Sequence, residues 1–111
     1  MNNKTLNVLI IGLVWPEPKS TGASKRLMEY MKLFRDQNYH ISLTCPAAPG
    51  EHAADLQAYD VNTFNFDVND NSFDVFISNL QPNIVLFDRY LMEEQFGWRV
   101  EKYCPTAMRI I

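Results

Sequence analysis

The chain has 111 residues, 47% hydrophobic and 21% charged, with a net charge of −3. That length supports one domain with a real core, and the acidic balance argues against a general nucleic-acid binder. Cys45 and Cys104 form no disulfide framework, no signal peptide precedes them, and the apolar run near the amino terminus, interrupted by Pro16, is too short to span a bilayer; together these point to a cytoplasmic protein with reduced thiols.

Val8–Ile11 is a continuous apolar run, the pattern of a strand buried on both faces. A Pro-punctuated loop follows and ends in Ser20-Thr21-Gly22. The next segment is an amphipathic helix, with Ala23, Leu27, Tyr30, Met31 and Phe34 recurring at helical spacing and Asn38 placed to cap its end. Five of the ten Lys and Arg residues lie between Lys19 and Arg35. They form either a basic surface for phosphate or anionic lipid, which would hold the protein at the periphery of a membrane, or a solvated helix face. His40–Cys45 reads as the second strand, ended by Pro46.

Pro46–Gly50 reads as a loop and Glu51–Tyr59 as a short helix. Asn62–Phe66 alternates polar and apolar residues, which suits an edge strand. Asn71 is placed to cap the next helix, whose stripe is Phe73, Phe76, Ile77 and Leu80. Pro82-Asn83 resets the chain, and Ile84–Phe87 is a second fully buried strand. Met92, Phe96, Val100 and Tyr103 mark the last helix, opened by Glu93 and Glu94, with Trp98 expected to anchor it from a buried position. Pro105 stops that helix and Met108–Ile111 begins a further strand. No turn, cap or polar tail follows Arg109-Ile110-Ile111, so the sequence reads as a fragment of a longer protein.

This alternation predicts an α/β fold: a parallel sheet with helices on both faces, a three-layer αβα sandwich of Rossmann-like type with strand order 3-2-1-4-5. Ligands of such sheets gather at the carboxyl ends of the strands, where the order reverses. That crevice is expected between Leu13–Gly22 and Asp88–Met92.

Two constellations fall there. In Trp15-Pro16-Glu17-Pro18-Lys19-Ser20-Thr21-Gly22, two prolines stiffen the loop, Ser20 or Thr21 can cap the helix, and Gly22 permits close approach by a ligand. The same residues also suit a plain strand–helix connection. The loop is neither a dinucleotide fingerprint nor a P-loop. In Asp88-Arg89-Tyr90, the carboxylate can serve as general base or bind hydroxyls, or the Asp–Arg pair merely orders the loop. Other signals fail. Asp67–Ser72 begins like a calcium loop but lacks its glycine and closing glutamate. His40 and His52 are not at metal-ligand spacing, so no metal site is expected. Cys45 has no evident base partner and reads as a core residue.

These residues resemble the amino-terminal domain of GT-B glycosyltransferases, in particular the group-1, family-4-like members. The resemblance rests on the strand ending in Gly12, the loop with Pro16, Pro18 and Gly22, and the span from Arg26 to Phe34. It extends to Asn38–Leu43 and to Pro82-Asn83-Ile84-Val85. It implies a two-domain enzyme in which this half binds mainly the acceptor, a sugar or glycan among the possibilities, while a carboxyl-terminal domain missing from this sequence binds most of an NDP-sugar donor. No other cofactor is implied for this domain. By the same resemblance Ser20, Thr21 and Gly22 approach the donor diphosphate. Within such an enzyme the residues themselves suggest that Asp88 is catalytic, binding or deprotonating an acceptor hydroxyl, that Trp15 and Tyr90 stack on a sugar face, that Arg89 neutralises a phosphate, and that Glu17 contacts substrate. Only Gly22 stands where many members have paired glycines, and Asp88 stands where many have a histidine. Cut from its second half, such a domain is expected to self-associate, for instance as a homodimer, and to lack activity alone. The competing expectation is a non-enzymatic doubly wound binding module, flavodoxin- or receiver-like. Against a receiver, strand one ends Ile11-Gly12-Leu13 rather than in an acidic cluster.

Overall fold

The computed structural model describes residues 6–12, 23–46, 60–67 and 70–111. Strands β1 (Asn7–Ile11), β2 (His40–Cys45), β3 (Val61–Asn65), β4 (Ile84–Phe87) and β5 (Met108–Ile110) alternate with helices α1 (Ala23–Asp36), α2 (Asn71–Leu80) and α3 (Tyr90–Tyr103). Every strand pair is parallel, and the order across the sheet is β3-β2-β1-β4-β5. The fold is therefore the Rossmann-like α/β sandwich that the alternation predicts. The expected helix at Glu51–Tyr59 and the loop at Leu13–Gly22 lie outside the described residues.

β1 explains why the sheet needs two layers of helices. Val8, Leu9, Ile10 and Ile11 are all fully buried. Side chains alternate across a strand, so Val8 and Ile10 join Leu27 and Met31 of α1 on one face. Leu9 and Ile11 join Phe73 and Ile77 of α2, with Met92, Phe96 and Val100 of α3, on the other. Leu9 stands opposite Val85, and Ile10 opposite Leu86 and Leu43. At the amino ends of the central strands, the Asn7 N–H donates to Asn83 Oδ1 and the Asn83 N–H donates to Asn7 O, both at 2.8 Å. This reciprocal pair is what Pro82-Asn83 contributes beyond breaking the chain.

The helix ends are built by short polar residues and by positive φ. Asn38, at φ 66°, ends α1. Its N–H donates to Arg35 O at 2.9 Å and the Tyr39 N–H donates to Phe34 O at 3.0 Å, the two bonds of a Schellman cap. The rings of Phe34 and Tyr39 stack across that cap, centroids 5.5 Å apart. At α2 the capping residue is Asp70, one place before the expected Asn71. Its carboxylate accepts from the Ser72 N–H at 2.9 Å and from Ser72 Oγ at 2.7 Å. Helix α3 starts at Tyr90, ahead of the glutamates expected to open it.

Two expectations about side chains are corrected. Tyr30, expected on the buried stripe of α1, is 41% exposed; it lies a quarter-turn off the Leu27–Met31 line, whereas Phe34 packs, partly buried, at the edge of the core as its place on the stripe predicts. Trp98, expected inside, is 51% exposed, while its neighbour Arg99 is only 4% exposed. The phase set by Phe96 and Val100 turns Trp98 to solvent and carries Arg99 inward, where Nη1 donates to Asp74 Oδ1 of α2 at 2.6 Å. The guanidinium carbon of Arg99 also lies 4.5 Å from the Trp98 ring centroid. Gly97 is buried beneath Glu93, whose carboxylate a Cβ there would strike.

Candidate functional site at the carboxyl ends of β1 and β4

The chain leaves β1 toward β2 on one side of the sheet centre and leaves β4 toward β5 on the other. The strand order reverses between β1 and β4, the place where ligands of such sheets gather. Main-chain bonds tie the strand ends there: the Asp88 N–H donates to Ile11 O and the Gly12 N–H donates to Thr44 O, both at 2.9 Å. Gly12, Cys45 and Asp88 thus mark the carboxyl ends of three adjacent strands. Asp88 follows Phe87, which faces α2 and α3, so alternation along the strand turns Asp88 to the α1 side.

Asp88 is half-buried. Desolvation raises its carboxyl above the ordinary range, opposed first by the charge of Arg89 and then by that of Arg26. Cys45, fully buried behind it, has its thiol pushed up to about 12. Burial is the main cause; the Gly12 N–H acts the other way and the Asp88 charge adds to the rise. A thiol held there stays protonated at neutral pH and is not a nucleophile. Cys45 is a core residue, as its sequence context suggests.

Arg89 carries the unusual backbone. As the residue preceding α3 it sits at φ 94°, ψ 145° and supplies no side-chain cap. L-residues rarely occupy that region, and holding one there costs on the order of 1–3 kcal/mol. Its side chain is exposed, and the next residue, Tyr90, is 63% exposed. Asp88, Arg89 and Tyr90 thus follow one another at the carboxyl end of β4, where the strand order reverses. Trp15, Glu17, Ser20, Thr21 and Gly22 lie outside the described residues.

One further residue belongs here. Arg26 stands in the first turn of α1, close enough for its charge to act on Asp88. Helix phase was the available signal: Arg26 lies a quarter-turn from the buried Leu27, on the flank opposite Arg35. A cleft at the other rim of the sheet, lined by Arg35, Asn38, Tyr39, His40, Asp60 and Asn62, faces the amino ends of β2 and β3, away from these groups. Among the described residues no three His, Cys, Asp or Glu side chains converge to hold a metal ion. No described helix is long and apolar enough to cross a membrane.

No family model matches the chain, and no curated protein matches it significantly.

Proposed function

We propose that the chain is the acceptor-side domain of a nucleotide-sugar-dependent glycosyltransferase of the GT-B kind. The observation that carries this reading is the pair Asp88-Arg89: a partly desolvated carboxylate and a residue at φ 94°, adjacent in sequence, at the point where strand order reverses. Both features cost stability, and proteins retain such costs where a ligand uses them.

In this reading Asp88 is the general base. It takes the proton of the acceptor hydroxyl as that oxygen bonds to the anomeric carbon. The bond from that carbon to the diphosphate breaks, and the leaving diphosphate keeps the electron pair. A carboxyl with raised proton affinity suits that task better than an ordinary one. Ser20, Thr21 and Gly22 approach the donor diphosphate, and Trp15, Glu17 and Tyr90 hold the acceptor. A second α/β unit supplies most of the donor site. The enzyme works in the cytoplasm, at the membrane periphery where its acceptor is lipid-borne, and the isolated domain pairs with itself.

The test is calorimetry of the full-length protein against a panel of NDP-sugars, with product release measured in parallel. Asp88→Asn is expected to lower turnover by about 100-fold while leaving donor affinity within a factor of about two. Gly22→Val is expected to weaken donor binding, because a branched side chain intrudes on the diphosphate. If no NDP-sugar binds, the transferase reading fails and a non-enzymatic doubly wound binding module takes its place.

A further inference from the structure

We propose that the cleft at the amino ends of β2 and β3 is a docking site for an extended peptide, which pairs with the open edge of β3 and sets an acidic side chain against Arg35. The cleft lies at the opposite end of the sheet from Asp88, and the inference stands apart from the proposed function.

The cleft measures about 910 Å³, within the range of roughly 300–1,000 Å³ common to ligand sites. Two turns of chain wall it. Arg35, Asn38 and Tyr39 come from the end of α1, and Asp60 directly precedes β3. Both turns pass through positive φ, 66° at Asn38 and 60° at Asp60. The Tyr39 ring is held by its stack on Phe34.

The floor is β3 itself. Val61, Asn62, Thr63 and Phe64 all line the cleft. Successive side chains of a strand point to opposite faces, so a site on one face would meet every second residue. Val61 packs in the cluster on the α1 side, while Phe64 packs against Phe76 of α2, ring centroids 4.5 Å apart. A cleft that meets four residues in a row, from both faces, runs along the margin of the strand. β3 is the last strand on that side of the sheet and pairs only with β2. Among the described residues its outward N–H and C=O groups have no strand partner.

Those groups repeat at the spacing of a second extended chain, and main-chain pairing of that kind recognises a peptide. Side chains of the added strand alternate as well. Those on the α1 side reach Arg35 and Tyr39, where an acidic residue fits; those on the other side reach Phe64, where an apolar residue fits. Arg35 and His40 are the basic groups of the cleft, Asp60 is its acid, and the exposed Asp36 follows Arg35. That balance admits one acidic residue rather than a run. A second copy of this chain is a poor occupant. A two-fold contact sets a patch against the same patch, and two concave clefts face to face would leave both unfilled.

The experiment uses capped synthetic peptides of about eight residues, alternating Thr and Val with one central Glu, and a twin with Lys in its place. NMR of the chain reads binding. With the Glu peptide, alternate amides between Val61 and Phe64 should gain exchange protection, while those already paired with β2 stay unchanged. N-methylation of one alternate set of peptide nitrogens should weaken binding by about 10-fold or more, and methylation of the other set should leave it intact. Arg35→Glu should weaken the Glu peptide by about 10-fold and make the Lys peptide the better ligand. The urea midpoint of that variant separates a lost site from a lost fold, and the methylated peptides need no variant. The proposal is overturned if the Glu peptide does not bind at about 1 mM, if both methylated peptides bind like the parent, or if Arg35→Glu leaves the preference for Glu over Lys unchanged. Concentration-dependent protection of β3 amides in the chain alone would make a second copy the occupant. Shifts at Tyr39 and Asn62 with maltohexaose but not with peptide would make the cleft a glycan site. Either result overturns it too.

Discussion

Asp70 and Asp88 shift in opposite directions on folding, and the signs of their contributions follow. Bonds from the Ser72 hydroxyl and N–H hold Asp70 below its ordinary range. It adds stability above the unfolded-chain value, and that contribution is lost as pH falls through the folded value. Asp88, raised mainly by desolvation, binds its proton more tightly in the fold than in the unfolded chain. Stability therefore declines as pH rises from the ordinary carboxylate range through the folded value of Asp88, and stays lower at neutrality. Asp88→Asn should accordingly raise the urea midpoint at about pH 7, with the gain disappearing as the medium is acidified below the ordinary carboxylate range. An unchanged midpoint across that range would mean the carboxylate is not desolvated. At the neighbouring position, Arg89→Gly should stabilise by about 1 kcal/mol, the relieved strain exceeding the extra chain entropy of glycine. If it destabilises, the arginine side chain contributes packing that outweighs its backbone cost.

At the scale of elements, the caps and the α2–α3 ion pair decide how each helix is held. Asp70→Ala should lower the urea midpoint by removing an N-cap acceptor, and Asn38→Ala should cost about 1 kcal/mol by placing alanine in a left-handed turn. Asp74→Ala should cost more, about 3 kcal/mol, because it strands a buried guanidinium. Arg99 Nε already lacks a partner among the described residues. Urea midpoints of the three variants would show the order; an Asp74 variant no worse than the cap variants would mean water reaches Arg99. These elements also show how much the sequence discloses. β1 and β4 were legible because four consecutive apolar residues admit only a strand buried on both faces, and that pattern with the alternating helices carried the strand order. Asn38 was legible as a cap because asparagine tolerates positive φ. Trp98 was misread because a large aromatic ring suggests burial, whereas the phase of α3 is set by Met92, Phe96 and Val100. The Asp88 rim was legible from topology. The strained φ of Arg89 was not, since nothing local marks an arginine for a region usually left to glycine. Arg26 was passed over because a charged residue in an amphipathic helix reads as solvated face until the neighbouring strand end is known.

For the whole molecule, the two cores share their central strands. Val8 and Ile10 pack with Cys45 on the α1 side, while Leu9 and Ile11, from the same β1, pack in the cluster that contains Cys104 on the other. Neither layer of helices can part from the sheet without exposing residues of β1 that the opposite layer needs in register, so the domain should open as one unit. The cysteines report this from both faces. Both are free and buried; the Cys45 thiol is pushed up to about 12, and Cys104 is also raised by burial, with Sγ 3.4 Å from the Ile77 carbonyl oxygen it can donate to. Native-state modification should therefore be slow at both and proceed through opening rather than at the folded surface. Pulsed alkylation across a urea series, read separately for each cysteine by mass spectrometry, should give coincident midpoints and equal slopes. Early labelling of Cys104 would show that α3 and β5 detach before the rest. Early labelling of Cys45 would place the weak layer at α1 and would tie opening there to access at Asp88.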